Sequence, residues 1–329
     1  MKPFVSIVIP CYNEEKTISA LLKAITAQTY PLSRLEVIIA DGFSKDNSRE
    51  AISEFQTKNP RLSIKVIDNP KRIIPAGVNA AVRASKGEII IRLDGHSKPH
   101  PEYVMKCVSA LEHKLGDNVG GMWEIKPSRD TWLAYSIAKA AAHPLGVGDA
   151  QYRLGKQVGP VDTVPFGAFR HKMFDELGGF NEELLTNEDY EFNTRIRQNG
   201  GVVWLDPTIQ TEYLARSNIR ELAQQYFRYG YWKLKMLRRY PGTLRWRQAL
   251  PPLYVASLAI LGILSIFFPM ARVLLALELV IYLTVLLIFG SIVALKHKRI
   301  GCIIGFPAAI STMHVCWGSG FLWSIVRYK

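Results

Sequence analysis

Short apolar runs alternate with helically patterned segments over the first part of the chain. Phe4–Ile9, Leu35–Ala40, Leu62–Ile67 and Glu88–Leu93 read as strands, and Lys16–Ala27, Asn47–Thr57, Pro75–Ala84 and Pro101–Leu115 read as the helices that follow them. That repetition predicts an α/β domain with a mostly parallel sheet and right-handed crossovers. From Leu250 the periodicity gives way to nearly continuous Leu, Ile, Val, Ala, Phe and Gly. A hydrocarbon core of about 30 Å takes roughly 20 helical residues. Three segments reach that length: about Leu250–Phe268, Val273–Leu295 and Cys302–Val326. If the first leads out and the second returns, the basic run Lys296–Arg299 falls inside, as the positive-inside tendency requires. Pro307, His314 and the Gly318/Gly320 pair interrupt the third, so a re-entrant or broken course is as open as a crossing. Glu278 and His314, ionisable groups in apolar sequence, suit a functional position or interhelical packing equally.

Composition sharpens this division. The chain has 329 residues, 41 Lys and Arg against 28 Asp and Glu, and 48% hydrophobic residues, which excludes a disordered or collagen-like chain. Cys11, Cys107, Cys302 and Cys316 have no CxxC spacing, so neither a zinc site nor a disulfide framework is expected. Met1–Glu15 lacks a cleavage pattern, which points to a cytoplasmic α/β domain. The expected partition is an α/β domain over 1–215, basic amphipathic interface helices over 216–249, and a transmembrane domain of about three helices over 250–329. In Arg216–Arg247 basic residues interleave with Tyr226, Phe227, Tyr229, Tyr231, Trp232, Tyr240 and Trp246. Beside a membrane segment this composition suits an anionic leaflet better than nucleic acid.

Ligands of open α/β sheets sit outside the carboxyl ends of the strands. Those ends read Pro10-Cys11-Tyr12-Asn13-Glu14, Asp41-Gly42, Asp68–Arg72 and Asp94-Gly95-His96. Neither GxGxxG nor GxxxxGK[ST] is present, so a dinucleotide or P-loop reading lacks its phosphate loop. Asp94 and His96, two apart, project to the same side if strand conformation persists. A carboxylate with an imidazole suits Mn²⁺ at least as well as Mg²⁺, although a capped turn has the same sequence. Asn187-Glu188-Asp189 suits a helix start over Tyr190–Gln198 and also supplies a candidate base.

In order and spacing, Ser6–Glu15, Ile39–Asp46, Ala76–Ala81, Arg92–His96, Gly178–Asn181, Asn187–Asp189 and Gln225–Tyr229 resemble the inverting family 2 glycosyltransferases of GT-A fold. Within that family the chain is similar to membrane-attached enzymes of exopolysaccharide assembly, such as the succinoglycan glucosyltransferase type. The resemblance implies a GT-A (Rossmann-like) domain, a nucleotide sugar donor with a UDP-sugar favoured, and a divalent cation, Mn²⁺ or Mg²⁺. It implies donor contacts from Pro10, Tyr12, Glu14, Asp41, Arg72 and Asp94, and a metal triplet Asp94-Gly95-His96 that departs from D-x-D. It further implies Asp189 as general base with Glu188 beside it, and Gln225, Arg228 and Tyr229 near the acceptor or diphosphate, with Tyr229 where Trp is usual. Asp41 also reads as a strand-ending turn, Arg72 as a solvated turn and Arg228 as a lipid-phosphate contact. The implied acceptor is a lipid-linked saccharide, on a multi-pass membrane protein with its catalytic domain in the cytoplasm. A polyprenyl phosphate acceptor, a processive synthase and a nucleotide-sugar-binding scaffold stand as alternatives. A homo-oligomer is compatible with the sequence, and no nucleic-acid partner is expected.

Overall fold

The computed structural model describes residues 2–155 and 157–327. Two compact units are formed, one from residues 1–124 and 154–213, the other from residues 125–153 and 214–329. In chain order the elements are β1 (Val5–Cys11), α1 (Ile18–Thr26), β2 (Leu35–Asp41), α2 (Ser48–Lys58), β3 (Ser63–Asp68), α3 (Ile74–Arg83), β4 (Ile89–Arg92), β5 (Lys98–Pro99), α4 (Tyr103–Glu112) and β6 (Asn118–Pro127). There follow α5 (Trp132–Ala141), α6 (Pro144–Val147), α7 (Gln151–Leu154), β7 (Gly159–Pro160), β8 (Ala168–Arg170), α8 (His171–Leu177), α9 (Glu188–Gln198) and β9 (Val203–Ala215). The chain ends in α10 (Ile219–Arg239), α11 (Trp246–Phe267), α12 (Pro269–His297) and α13 (Cys302–Val326).

The sheet runs β3-β2-β1-β4-β8-β6-β9-β5, with β7 paired to β9. Its first four strands are parallel, as the alternation predicted, and the strands beyond β4 are antiparallel. All seven residues of β2 are buried, because neighbours cover both of its edges and helices both faces, whereas edge strand β3 keeps exposed positions. Helix α1 turns Ile18, Leu21, Leu22 and Ile25 inward at helical spacing, each side chain contributing roughly 1.5–3 kcal/mol of burial. Truncating Leu22 to Ala would cost about 2–5 kcal/mol. This packing holds the carboxyl ends of β1 to β4 in one row.

Two differences from the sequence reading concern the membrane-facing part. Residues 125–153 group by contacts with the C-terminal unit, whereas the sequence reading places them within 1–215. The physical reason is that α5 buries Ala134, Ile137, Ala138 and Ala141, and its neighbour in space is α13, far away in sequence. Helix α13 is continuous through Pro307 and both glycines, not broken. Among the described residues three helices, α11, α12 and α13, are long and apolar enough to cross a membrane.

Candidate active site

Backbone strain marks the strand ends. Asn13 after β1, Phe43 after β2, Arg72 after β3 and Asn187 before α9 all have positive φ, between 55° and 70°. Side chains rarely take this region, and such outliers gather at functional sites. The ends of β1, β2 and β3 also converge: the Cβ position of Gly42 lies 3.4 Å from the Tyr12 ring and 3.6 Å from the Arg72 backbone. The Arg72 guanidinium sits over the Phe43 ring at 5.3 Å, and Tyr12 and Phe43 are both exposed. Pro10, half-buried, lies within β1 opposite Ala40.

Asp41 is fully buried and engaged within its own loop. Its carboxylate accepts from Ser44 Oγ at 2.5 Å and from Arg49 Nε at 2.6 Å. Burial works against its charge, but Ser44 and Arg49 outweigh that and hold the carboxyl below its usual range. Asp41 therefore shapes the β2–α2 loop that presents Phe43.

Asp94 and His96 follow β4. Glu14 Oε1 lies 3.0 Å from His96 Nδ1, and the Cβ position of Gly95 is 2.9 Å from Glu14 Cγ, so only glycine lets Glu14 close over the triplet. A carboxylate on one ring nitrogen is how ligating imidazoles are commonly oriented. Asp94, two residues before His96, offers an oxygen donor on the same turn, and a carboxylate with an imidazole suits Mn²⁺ or Mg²⁺ in chemical type. Another carboxylate–imidazole group, His100, Glu124 and Glu212, bridges β5, β6 and β9, with Lys98 3.4 Å from Glu212.

The decisive side chain is one the sequence reading passed over. Arg92, last in β4, is 4% exposed and extends between the two candidate carboxylate groups. Its Nη2 lies 2.8 Å from Glu188 Oε1 and 3.3 Å from Asp94 Oδ1, so those oxygens are no more than about 6 Å apart. The guanidinium rests over Phe180 at 5.7 Å, above the Phe169–Phe180–Phe192 cluster, and its Nε and Nη1 have no hydrogen-bond partner. Burial disfavours its charge, yet the Asp94 and Glu188 carboxylates outweigh that and raise its proton affinity. An arginine inside an otherwise apolar strand, Ile89-Ile-Ile-Arg-Leu-Asp94, was the available signal, because a buried cation needs an anion.

Asp189, in the first turn of α9, is half-buried with its backbone capped by its own carboxylate at Tyr190 N, 2.7 Å away. Burial first, and the Glu188 carboxylate second, push its proton affinity up, while Arg92 and the Tyr190 N–H pull it down. Two further motifs brace this helix. Asn79 donates to the Phe180 carbonyl and accepts from its N–H, both at 2.8 Å, while Arg195 of α9 donates to the carbonyls of Leu177 and Gly179. In the C-terminal unit, Gln225 Nε2 donates to the Tyr229 hydroxyl at 2.8 Å and Arg228 is exposed on α10.

The profile described as Glycosyl transferase family 2 matches residues 6–178. The chain belongs to that family. It is 30% identical to the succinoglycan biosynthesis protein ExoA of Rhizobium meliloti, over 98% of this chain and 95% of that protein. It is 27% identical, over 82% and 85% of the two chains, to a dolichyl N-acetyl-alpha-D-glucosaminyl phosphate 3-beta-D-2,3-diacetamido-2,3-dideoxy-beta-D-glucuronosyltransferase of Methanococcus voltae. Among solved structures, a mannosyltransferase of Pyrobaculum calidifontis in complex with GDP-Man and Mn²⁺ superimposes with a TM-score of 0.63 at 20% identity, over 95% of this chain and 87% of that one. The N-terminal unit is thus a GT-A-like glycosyltransferase domain, followed by membrane-capable helices.

Proposed function

We propose that this protein is a membrane-bound inverting glycosyltransferase that moves one sugar from a nucleotide diphosphate sugar, a UDP-sugar by preference, to a lipid-linked saccharide. The observation that carries the reading is the contact of a single buried arginine with Asp94 on one side and Glu188 on the other. It joins a diphosphate-side carboxylate to a base-side pair, as a one-step displacement requires.

Tyr12, Phe43 and Arg72 receive the nucleoside, and Asp41 shapes their loop. Asp94 and His96, oriented by Glu14, would hold a divalent cation, whose chemistry is to neutralise the diphosphate as it leaves. Asp189 takes the proton of the acceptor hydroxyl, whose own acidity is too weak for attack without a base. Glu188 and burial strengthen Asp189 as a base, and the Arg92 guanidinium favours its ionised form. Attack from the face opposite the leaving group inverts the anomeric centre. Positioning and charge stabilisation supply most of the rate. Gln225, Arg228 and Tyr229 on α10 belong to acceptor or diphosphate binding in this reading, next to the membrane where a lipid carrier resides.

The name of the Methanococcus voltae relative, a transferase acting on a dolichyl-linked sugar phosphate, supports a glycolipid acceptor. The name of a relative from Aeromonas hydrophila, an undecaprenyl-phosphate 4-deoxy-4-formamido-L-arabinose transferase 33% identical over 41% of this chain, supports the second reading, in which polyprenyl phosphate itself is the acceptor. A panel of UDP-, GDP- and dTDP-sugars with Mn²⁺ or Mg²⁺, offered lipid-linked saccharide, polyprenyl phosphate or soluble sugars, tests the assignment. Asp189→Asn should lower kcat about 10²–10⁴-fold with donor affinity kept. Full activity of that variant on polyprenyl phosphate would select the second reading, because a phosphate needs no base. Equal use of soluble sugars would refute the lipid-linked acceptor, and a ladder of polymeric products would refute single addition.

A further inference from the structure

The C-terminal unit contains a geometry that length and hydropathy do not disclose. Helices α11 and α12 form an antiparallel hairpin, registered by the Tyr254–Tyr282 stack at 4.5 Å and by Ser257 donating to Glu278. By that register Gly290 of α12 stands level with Trp246 at the start of α11. Helix α13 begins at this level, with the Ile303 carbonyl and Pro307 against Gly290. It then passes Tyr282, whose hydroxyl lies 3.0 Å from His314 Nδ1. At Gly318 it meets the Pro251 carbonyl and Val255, near the start of α11. Between residues 303 and 318 the helix advances about 22 Å, but its level on the hairpin changes by only about 7–14 Å. Counted from the middle of the Gly290 contact, its inclination to the hairpin axis is on the order of 45–70°. A third crossing antiparallel to α12 would have reached Leu275 by that point.

The opposite side of α13 is occupied along its length by helices of the same unit. Ser136 of α5 donates to Cys302 Sγ at 3.6 Å, and the Leu145 carbonyl of α6 is 2.7 Å from His314 Nε2. Gly230 of α10 seats the Trp317 carbonyl, and Gly320 seats the Phe227 carbonyl, where a Cβ on either glycine would collide. Helix α10 carries exposed Arg228, Arg238 and Arg239. An α13 that crossed would draw these into the hydrocarbon core, at about 2.5–3.5 kcal/mol for each charge near the centre. A helix inclined within one leaflet leaves them at the headgroups and turns Ile304, Ala308 and Val315, which share one exposed stripe, toward acyl chains.

We propose that α13 lies obliquely within one leaflet, so that the chain crosses the membrane twice, through α11 and α12, with the end of α13 on the same side as α10. Single cysteines in a Cys316→Ser background test this in native membranes: Gly242→Cys after α10, Met270→Cys at the hairpin turn and Arg327→Cys after α13. Labelling by a membrane-impermeant maleimide from either side of sealed vesicles should place 242 and 327 together and 270 opposite. Labelling of 327 with 270 would establish a third crossing and overturn the proposal, and labelling of 270 with 242 would overturn the hairpin crossing. A protease-cleavable tag added after Lys329 reads the same sidedness without altering any packed residue: protection with 270 refutes the proposal, and cleavage with 242 supports it.

Discussion

Arg92→Met is the perturbation that most directly probes the coupled site. Removing one partner of a buried ion pair leaves Glu188 without its cation and costs about 3–5 kcal/mol. A carboxylate that loses a cation at this distance gains about 1–3 pKa units. Asp189, pushed up to about 6 with Arg92 present, moves further in the same direction. Since the base must be unprotonated, the acid limb of kcat should shift from about pH 6 toward pH 7–9. A shift of two units predicts a loss of roughly tenfold at pH 7 that is recovered above pH 9. Arg92→Lys keeps a cation in the strand on a shorter reach, and should show a smaller shift. The assay is donor turnover against pH at saturating donor and cation, with thermal melts at each pH to confirm that the variant is folded. An unmoved acid limb in folded Arg92→Met would refute the claim that Arg92 holds down the proton affinity of Asp189.

Gly95→Ala should displace Glu14 from His96 and raise the cation concentration for half-activation about 10–100-fold, read by Mn²⁺ titration; an unchanged titration would show that Glu14 does not orient the imidazole. Phe43→Gly relieves a positive φ while removing a ring, so stability should hold or rise as the donor KM rises about 3–10-fold with kcat unchanged; a KM that stays fixed would remove Phe43 from the nucleoside site. Because the native pKa of Asp189 lies above its unfolded value, its contribution favours folding below pH 4 and is lost as pH rises through about 6. Asp189→Asn should therefore gain stability over the wild type above pH 6, by up to about 3 kcal/mol in urea titrations, and should show little gain at pH 4.

Much of the catalytic domain was legible because its signals are local. The four parallel strands follow from apolar runs broken by turns, and their observed ends fall within two residues of the predicted ones. Asp94, His96, Glu188 and Asp189 were legible as types at strand and helix ends, and Arg92 is the physical link between the two groups. Arg92 itself was missed because its meaning depends on Glu188, ninety-six residues away. The same limit hid the allegiance of residues 125–153: α5 looks like an ordinary amphipathic helix until α13 is beside it. Asp41 shows how one motif residue can carry two readings: its motif implies a ligand contact, and within the fold its carboxylate also accepts from Ser44 and Arg49. Hydropathy identified α13 as a membrane helix, but only its contacts reveal its inclination.

The strained positions can be separated by what each receives in return. A non-glycine residue in the left-handed region costs about 1–2 kcal/mol, and glycine would remove the cost. Asn13 offsets it locally, since its side chain accepts from Lys45 N at 2.8 Å and its N–H donates to Ser44 Oγ. Asn187 stands at the turn that aims Glu188 and Asp189 from the start of α9. Phe43 is 40% exposed, and its ring lies near two guanidinium groups, Arg72 and Arg49, the latter held by Asp41 and Asp68. An exposed ring held in a costly backbone conformation between two guanidinium groups gains little for folding. Its arrangement is suited to a planar, electron-rich base sliding against the ring, with the arginines near the attached phosphates, and that is why the nucleoside is assigned to this end of the sheet.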